Sequence, residues 1–315
     1  MPILLSGSLA YDYIMAFPDS FKQHILPDQI HILNVCFVVD KLQKNYGGTA
    51  GNIAYTMNLL DAAPIIVAPL GSDGKEYVSY LETQHIGTKY IHIVPELLTA
   101  SAYITTDKDD NQITAFYNGA LSLAEGMELD TITEPIDFAL ISTTDKLGMM
   151  AHAKYCFDAK IPFCFDPGQQ ITAFTPQELM RLIGQATFLI GNDYEIKLIQ
   201  EKTGWDTEEL LRHVEVLIIT LGEKGSVVMT ETTNISISPT APQSVEDPTG
   251  AGDAYRAGFF SAYVQGHDYE TCGQVGSVAA SYAIEHYGTQ HHSFTKKSFA
   301  ERYEKTYGKP MNLSL

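Results

Sequence analysis

The sequence predicts an α/β fold with a largely parallel central sheet and a second, smaller sheet that projects from it. Short apolar runs without polar alternation recur along the chain, separated by segments of helical length; they occupy residues 3–7, 65–69, 138–142, 161–166, 187–191 and 216–220. Strands that are covered on both faces have this pattern, which is typical of a parallel sheet between helical layers. Two segments rich in β-branched and aromatic residues, 31–40 and 101–117, interrupt the alternation. We predict that these two segments form the smaller sheet.

The elements follow in chain order. The strand ILLSG at 3–7 comes first, and Gly47-Gly48 leads into a helical stretch, TAGNIAYTMNLL. In the segment 101–117 a polar DKDDN turn separates two strand-like halves, which predicts a hairpin. Low-complexity linkers, charge blocks and internal repeats are absent from the sequence. We therefore predict one domain over residues 1–315, with strands from about 12–46 and 99–118 placed to cover a site.

Composition narrows the possible partners. The 315 residues include 45% hydrophobic residues, enough for a large core, and 38 acidic against 20 basic residues give a formal net charge of -18. This charge repels nucleic acid and anionic membranes, so neither is an expected partner. The first 15 residues contain no basic region before an apolar run, and we expect a cytoplasmic protein. The four cysteines, Cys36, Cys156, Cys164 and Cys272, lack zinc-site spacing and are predicted to be free and mostly buried.

The segment DPTGAGDAYRAGF at 247–259 carries the strongest chemical signal. Its residues 249–252 form a glycine-rich turn before a helical pattern, so backbone N–H groups and the helix dipole can bind an anion there. Asp253 stands in the first helical turn beside that anion site. The alternative is a plain tight turn in which Asp253 only favours the helix N-terminus. The segment is neither a P-loop nor a complete dinucleotide fingerprint, because it lacks the Lys-Ser/Thr pair and the third glycine.

Four motifs together resemble one family. They are GGTAGN at 47–52, NDYE at 192–195, TLGEKG at 220–225 and DPTGAGDAYRAGF at 247–259. In this order and spacing the chain resembles the ribokinase-like (PfkB) family of carbohydrate and nucleoside kinases. The resemblance implies an α/β three-layer sandwich with a mainly parallel central sheet and a small β-sheet lid. It also implies ATP-dependent phosphorylation of a hydroxyl group.

The resemblance assigns the reacting groups. Asp253 would be the catalytic base for the attacking hydroxyl, and the N–H groups of Gly250, Ala251 and Gly252 would stabilise charge on the transferred phosphoryl group. Arg256 lies three residues after Asp253 and can share its helix face. For Arg256 we favour a salt bridge that orients Asp253 over a direct phosphate contact.

The nucleotide and its metal ion are assigned to two further motifs. Asn192, Thr220, Gly222 and Gly225 would bind ATP, and Glu195 would hold Mg²⁺ through water. Two alternatives stay open: Asn192 and Glu195 could form a helix capping box, and the two glycines could simply join two strands. The resemblance also leaves open a monovalent cation.

On the acceptor side the resemblance implies that Asp12 binds adjacent hydroxyls, with Gly48 and Asn52 beside it. Asp12 could otherwise be a turn residue, and Asn52 an ordinary helix residue. The aromatic candidates of the covering strands are Phe37, Tyr103, Phe116 and Tyr117. These rings could stack on a flat base, or pack within the lid or in a dimer.

Several segments are most similar to adenosine-kinase-type members of the family, among them GSLAYDYIMAFP and TASAYITTDKDDNQITAF. We therefore expect phosphorylation of the adenosine 5′-OH to AMP, with a role in purine salvage. One alternative is a kinase for ribose, fructose or a related sugar. Another is a nucleoside-binding regulator that has lost turnover. The expected partner is a small molecule, and the protein is expected to be a monomer or homodimer.

Overall fold

The computed structural model describes residues 2–25, 34–109 and 111–311. Thirteen strands and ten α-helices lie in this part of the chain. The strands are β1 (Ile3–Ser6), β2 (Ala10–Ala16), β3 (Lys41–Gly47), β4 (Pro64–Gly71), β5 (Ile91–Val94), β6 (Ala100–Thr106), β7 (Gln112–Tyr117), β8 (Phe138–Ile141), β9 (Phe163–Phe165), β10 (Phe188–Asn192), β11 (Val216–Thr220), β12 (Ser226–Met229) and β13 (Asn234–Ile237). The helices are α1 (Phe21–His24), α2 (Thr49–Leu59), α3 (Lys75–Thr83), α4 (Lys146–Asp158), α5 (Pro176–Ile183), α6 (Asp193–Thr203), α7 (Thr207–His213), α8 (Ala251–Tyr263), α9 (Tyr269–Ala283) and α10 (Lys296–Tyr307).

Nine of these strands form one sheet in the order β13-β12-β11-β10-β9-β8-β1-β4-β5. The strands from β11 across to β5 pair in parallel, and only β12 and β13 add antiparallel pairs at one edge. Each of the six predicted apolar runs overlaps a strand of this sheet. The predicted α/β fold with a mainly parallel central sheet is therefore confirmed.

The central sheet is covered on both faces. Neighbouring residues of β1 alternate between two apolar cores: Ile3 and Leu5 belong to one, and Leu4 belongs to the other. The first core is shared with α2, α8 and α9, and the second with α4, α5 and α6. Since successive side chains of a strand point to opposite faces, burial on both faces requires a continuous apolar run. This explains why the strands could be recognised in the sequence.

The smaller sheet, called the lid from here on, has the order β3-β2-β6-β7. The predicted hairpin is confirmed by the antiparallel pair of β6 and β7. The prediction of a strand at 31–40 was wrong: residues 34–39 form no strand, and 31–33 lie outside the described residues. The lid strand is instead β3, whose residues 41–44 are exposed. An exposed edge strand accepts polar side chains, so its sequence lacked the apolar signal on which the prediction relied.

Two further observations concern the helices and the cysteines. No helix among the described residues is long and apolar enough to cross a membrane. All four cysteines are free, with Cys36 exposed and the other three buried, which confirms the prediction for the thiols.

Candidate active site

A cavity of about 640 Å³ lies at the carboxyl ends of the parallel strands, beneath the lid. The polar residues at or just beyond the ends of five neighbouring strands line it: Ser8, Thr143, Asp166, Asn192 and Thr220. Beside β1 the order of the sheet changes direction, because the chain continues to β4 on one side and returns to β8 on the other. Ligands bind at this position in open α/β sheets.

The N-terminus of α8 opens into this cavity. Gly250, with φ +82°, precedes the first helical residue, Ala251. The Ala251 N–H donates to the carbonyl of Pro248 at 3.3 Å. In the described part of the chain, the N–H groups of Gly252 and Asp253 have no acceptor. A 13-residue helix with two unpaired N–H groups at its positive end is suited to bind an anion.

Asp253 faces the cavity and is otherwise surrounded by protein. Asn52 Nδ2 donates a hydrogen bond of 2.8 Å to Asp253 Oδ2. Burial raises the pKa of Asp253 to about 6, although the charge of Arg256 and the hydrogen bond from Asn52 both oppose the rise. A carboxylate with this pKa can accept a proton more readily than an exposed aspartate.

Arg256 does not form the predicted salt bridge with Asp253. Its Nε and Nη2 donate to the two carboxylate oxygens of Asp166, at 2.7 and 2.6 Å. Ser142 Oγ donates to the same carboxylate at 2.6 Å. Two nitrogens of the planar guanidinium can bind the two oxygens of one carboxylate, and Asp166, just after β9, offers that geometry. The remaining nitrogen, Nη1, lies 2.8 Å from where a Cβ on Gly252 would be, so it reaches the turn at the start of α8.

Asn192 and Glu195 form a capping box at the start of α6. Asn192 Oδ1 accepts from the Glu195 N–H, and Glu195 Oε2 accepts from the Asn192 N–H, both at 2.8 Å. Both residues also line the cavity, and burial raises the pKa of Glu195. No group of three acidic, His or Cys side chains in the described residues could hold a metal ion directly. This donor set fits Mg²⁺ that keeps its own waters, with Glu195 as an outer ligand.

The turn that joins β11 to β12 has residues of two kinds: some line the cavity, and one packs against β13. Thr220 and Gly222 line the cavity, whereas Gly225 lies outside it. A Cβ on Gly225 would approach the carbonyl oxygen of Ile237 to 2.0 Å. The alternative of a strand-joining turn therefore accounts for Gly225, which the close approach of β13 requires to be glycine.

The lid carries two of the residues predicted for the acceptor side, Asp12 and Phe116, and Phe116 lines the cavity. Asp12 on β2 pairs in register with Asn45 and Ala102, and Ala102 pairs with Phe116. Cross-strand partners point to the same face, so Asp12 and Phe116 share one face of the lid. Phe116 is 55% exposed and lines the cavity. Burial, followed by the charges of Asp253 and Asp247, raises the pKa of Asp12 to about 6.

The other three aromatic candidates lie elsewhere. Tyr103 and Tyr117 are an odd number of register positions from Phe116 and so point to the opposite face of the lid. Phe37 packs against Phe17 and Phe21, with ring centroids 4.8 and 5.0 Å apart. Strand alternation separates Tyr103 and Tyr117 from Phe116, and Phe37 packs against other rings. The structure therefore favours the alternative of packing within the lid over stacking of these three rings on one base with Phe116.

Ten of the thirteen predicted site residues line the cavity: Gly48, Asn52, Phe116, Asn192, Glu195, Thr220, Gly222, Gly250, Gly252 and Asp253. Asp12, Ala251 and Gly225 are outside that lining. Sequence reasoning missed several lining residues, among them Ser8, Leu121, Thr143, Asp166, Gln169 and Gln170. A polar residue directly after an apolar strand was the available signal for Ser8, Thr143 and Asp166.

Comparisons with known proteins show which family the chain resembles in sequence and fold. The sequence pattern of the pfkB family of carbohydrate kinases matches residues 20–296. A nucleoside kinase from Methanocaldococcus jannaschii is 34% identical over 301 residues, covering 95% of each chain. The structure of a nucleoside kinase from Burkholderia thailandensis in complex with inosine has a TM-score of 0.89 and 35% identity, and the match covers 98% of this chain and 99% of that one. A ribokinase from Bacillus subtilis is 26% identical over 256 residues, which is 78% of this chain and 83% of that protein.

The family pattern covers the region from just before α1 to the first residue of α10, which includes all the residues that line the cavity except Ser8 and Ala10. The chain therefore belongs to the pfkB family of carbohydrate kinases.

Proposed function

We propose that this protein transfers the γ-phosphoryl group of ATP to a nucleoside hydroxyl, with the adenosine 5′-OH as the expected acceptor. The main observation behind the proposal is the strand register of the lid: Asp12 pairs with Ala102, and Ala102 pairs with Phe116, so Asp12 and Phe116 lie on one face. A carboxylate can bind the two hydroxyls of a ribose, and an aromatic ring can stack on a base. A nucleoside has both the ribose hydroxyls and a base, whereas a simple sugar has only the hydroxyls.

The start of α8 supplies the groups for phosphoryl transfer. The acceptor oxygen attacks the γ-phosphorus, its proton passes to the Asp253 carboxylate, and the bond to the β–γ bridging oxygen breaks to release ADP. The unpaired N–H groups of Gly252 and Asp253, with the turn at Gly250 and Ala251, stabilise the negative charge of the transferred group. Each such donor contributes about 2.7 to 4 kcal/mol in comparable sites.

Glu195 is the residue that would hold hydrated Mg²⁺ near the phosphates, with Asn192 beside it. The ion, when bound, neutralises charge on the phosphate oxygens. Thr220 and Gly222 also line the cavity and would contact the nucleotide. Arg256 Nη1 reaches the turn at Gly252, where its positive charge would lie close to the transferred phosphoryl group.

On the acceptor side Asp12 is available for a ligand. No donor in the described part of the chain pairs with its carboxylate, so both oxygens can accept from the 2′ and 3′ hydroxyls. Each such bond contributes about 1.5 to 3 kcal/mol when sheltered. Asn52 is already bonded on both ends of its amide, to Asp253 and to Gln290. We therefore give Asn52 a supporting role for the base more than a role in ribose binding.

Two observations favour a nucleoside over a sugar. Phe116 and the buried Leu121 provide an apolar side of the cavity that ribose alone would not cover. The nucleoside kinase relative is also more similar, and over more of the chain, than the ribokinase. A kinase of ribose or fructose is the second candidate, because that ribokinase matches 78% of the chain.

The test is a screen of adenosine, inosine, ribose and fructose with ATP and Mg²⁺. ADP release gives kcat/KM, and phosphorus NMR identifies the position of the new phosphate. The Asp253→Asn protein, prepared in parallel, controls for contaminating activity. We expect nucleosides to exceed ribose by about 100-fold, because ribose cannot use the stacking contact. A preference for ribose or fructose would support the second candidate, and no product from any acceptor would reject both.

A further inference from the structure

Behind the Asn52–Asp253 contact lies a chain of buried hydrogen bonds, here called the amide chain, that runs through Gln290 and Tyr77 to Gly47. Gln290 Nε2 donates to Asn52 Oδ1 at 2.9 Å and to Tyr77 Oη at 2.8 Å. Tyr77 Oη donates to the Gly47 carbonyl oxygen at 2.7 Å. Gln290 is 3% exposed and Tyr77 is fully buried. Neither residue lines the cavity.

The two ends of the amide chain fix the direction of every bond between them. The Asp253 carboxylate and the Gly47 carbonyl can only accept. Asn52 must therefore present its NH₂ group to Asp253 and its oxygen to Gln290. The Tyr77 hydroxyl must use its proton on Gly47, which leaves its oxygen as an acceptor. Gln290 alone then supplies both donors, through the two hydrogens of Nε2.

This arrangement has a cost that a purely structural glutamine would avoid. Gln290 Oε1 is buried and has no hydrogen-bond partner among the described residues. An unpaired buried amide oxygen destabilises a fold, so a glutamine is not the residue that stability alone would favour here. What glutamine provides here is two hydrogen-bond donors on one nitrogen, one for Asn52 and one for Tyr77.

Gly51 provides a second, independent observation. A Cβ at this position on α2 would lie 2.0 Å from Tyr77 Oη and 2.9 Å from Gln290 Nε2. The last glycine of the GGTAGN motif therefore leaves room for the amide chain. Tyr77 and Gln290 come from α3 and from the segment after α9, so three separate parts of the fold converge on this point.

We propose that Gln290 and Tyr77 are positioning residues: they hold the Asn52 amide with its donor toward Asp253 and connect this contact to Gly47, the last residue of lid strand β3. The inference rests on the proposed function, in which Asp253 accepts the proton. Held in this way, Asp253 Oδ2 receives a fixed donor and the other oxygen is free for the acceptor hydroxyl. Since the Tyr77 hydroxyl is hydrogen-bonded to the Gly47 carbonyl, a shift of β3 also shifts this end of the amide chain.

The charges around Asp253 belong to other residues. Arg256 on α8, Asp166 after β9 and Glu195 on α6 all act on its carboxyl, and Asp253 acts on Asp12 of β2. Gln290 and Tyr77 add no charge at neutral pH. A neutral substitution in the amide chain can therefore change the base only through the hydrogen bond from Asn52.

The test compares Gln290→Met with Gln274→Met. Gln274 is a matched control because it is buried, accepts from the Tyr303 hydroxyl at 2.6 Å and lies on α9 outside the cavity. In Gln290→Met we expect kcat with the nucleoside acceptor to fall roughly tenfold, KM for ATP to change less than about twofold, and the acid limb of the kcat–pH profile to move upward. Gln274→Met should lose stability while keeping the wild-type profile.

A second pair covers the case in which Gln290→Met does not fold. Tyr77→Phe removes the anchor on Gly47. Tyr80→Phe removes a hydroxyl whose one hydrogen-bond partner among the described residues is the main-chain carbonyl of Gln290, at 3.1 Å. We expect a several-fold loss of kcat in the first and wild-type kcat in the second. Wild-type kcat and pH profile in both Gln290→Met and Tyr77→Phe would overturn the proposal, as would an equal loss in the controls.

A readout without turnover separates this inference from the proposed function. The carboxyl ¹³C resonance of Asp253, assigned through Asp253→Asn, reports its titration in the protein without substrate. We expect an upward displacement of that titration in Gln290→Met and none in Gln274→Met. If no acceptor is phosphorylated but the displacement is found, the amide chain stands and the proposed function falls. An unchanged titration in Gln290→Met overturns the amide chain whatever the activity.

Discussion

Asn52 and Asp253 are joined by a hydrogen bond of 2.8 Å although 201 residues separate them in the chain. Each belongs to a glycine-rich motif, GGTAGN or GAGD, that precedes or opens a helix. The packing of α2 against α8 brings the two motifs to one carboxylate. The two motifs are therefore parts of one site, and the pKa of Asp253 depends on both.

We predict that kcat falls as the pH is lowered through about 6. The pKa of Asp253 is raised to about 6, so its basic form is present above that pH and is lost by protonation below it. At pH values below this pKa, a single base that must be deprotonated gives about a tenfold fall in kcat for each pH unit. The measurement is kcat against pH with saturating substrates, and the coupling enzymes are checked at each pH. A flat profile down to pH 4.5 would contradict the assignment of the base.

We predict that 2′-deoxyadenosine loses about 10- to 100-fold in kcat/KM relative to adenosine, because one oxygen of Asp12 is left without its hydroxyl partner. In Asp12→Ala the two nucleosides should differ much less, since neither can use the missing carboxylate. Competitive assays with both acceptors give the ratio directly. An unchanged ratio in Asp12→Ala would remove Asp12 from ribose recognition.

Much of the site could be predicted from the sequence because its motifs carry their own signal. Glycines beside an acidic residue at a helix start favour an anion site, which is why the turn at Gly250 and the candidate base Asp253 could be proposed from the sequence. Asp166 was missed as the partner of Arg256, because that contact depends on how β9 lies beside α8, 90 residues later in the chain. The positions of Gln290 and Tyr77 depend on tertiary packing in the same way.

We predict that Glu195→Gln raises the magnesium concentration needed for half-maximal rate and lowers kcat, with little effect on acceptor KM. Glutamine keeps the capping box with Asn192, so stability should change little. Glu178→Gln is the matched control, because Glu178 forms the same capping box with Thr175 at the start of α5, outside the cavity. Magnesium titrations that superimpose for Glu195→Gln and wild type would leave Glu195 as a helix cap only.

We predict that Arg256→Gln lowers the free energy of unfolding by about 3 kcal/mol, because it leaves the buried Asp166 carboxylate without its partner. It should also move the acid limb of the kcat profile upward, since Arg256 lowers the pKa of Asp253. The double variant Arg256→Gln/Asp166→Asn should regain most of the stability but not the wild-type pH profile. Full recovery of activity in the double variant would show that the pair is only structural.

The lid illustrates where sequence prediction fails for a physical reason. Strands buried on both faces are recognisable by apolar runs, but β3 is an edge strand with exposed polar residues, and the apolar stretch before it places Phe37 against Phe17 and Phe21 instead. Which aromatic rings face the cavity depends on strand register, and a single-residue offset reverses the face. Phe116 could therefore be separated from Tyr103 and Tyr117 only with the register known.

The most direct test of the account is single-turnover phosphorylation by Asp253→Asn, with adenosine and ATP–Mg²⁺ in the presence of excess enzyme. Asparagine can still accept the hydrogen bond from Asn52, so the substitution removes the base with little change in shape. We predict a rate lower by about 100-fold or more, with the Kd values of adenosine and ATP within a few-fold of wild type. A rate close to that of wild type would contradict the assignment of Asp253 as the base of a nucleoside kinase.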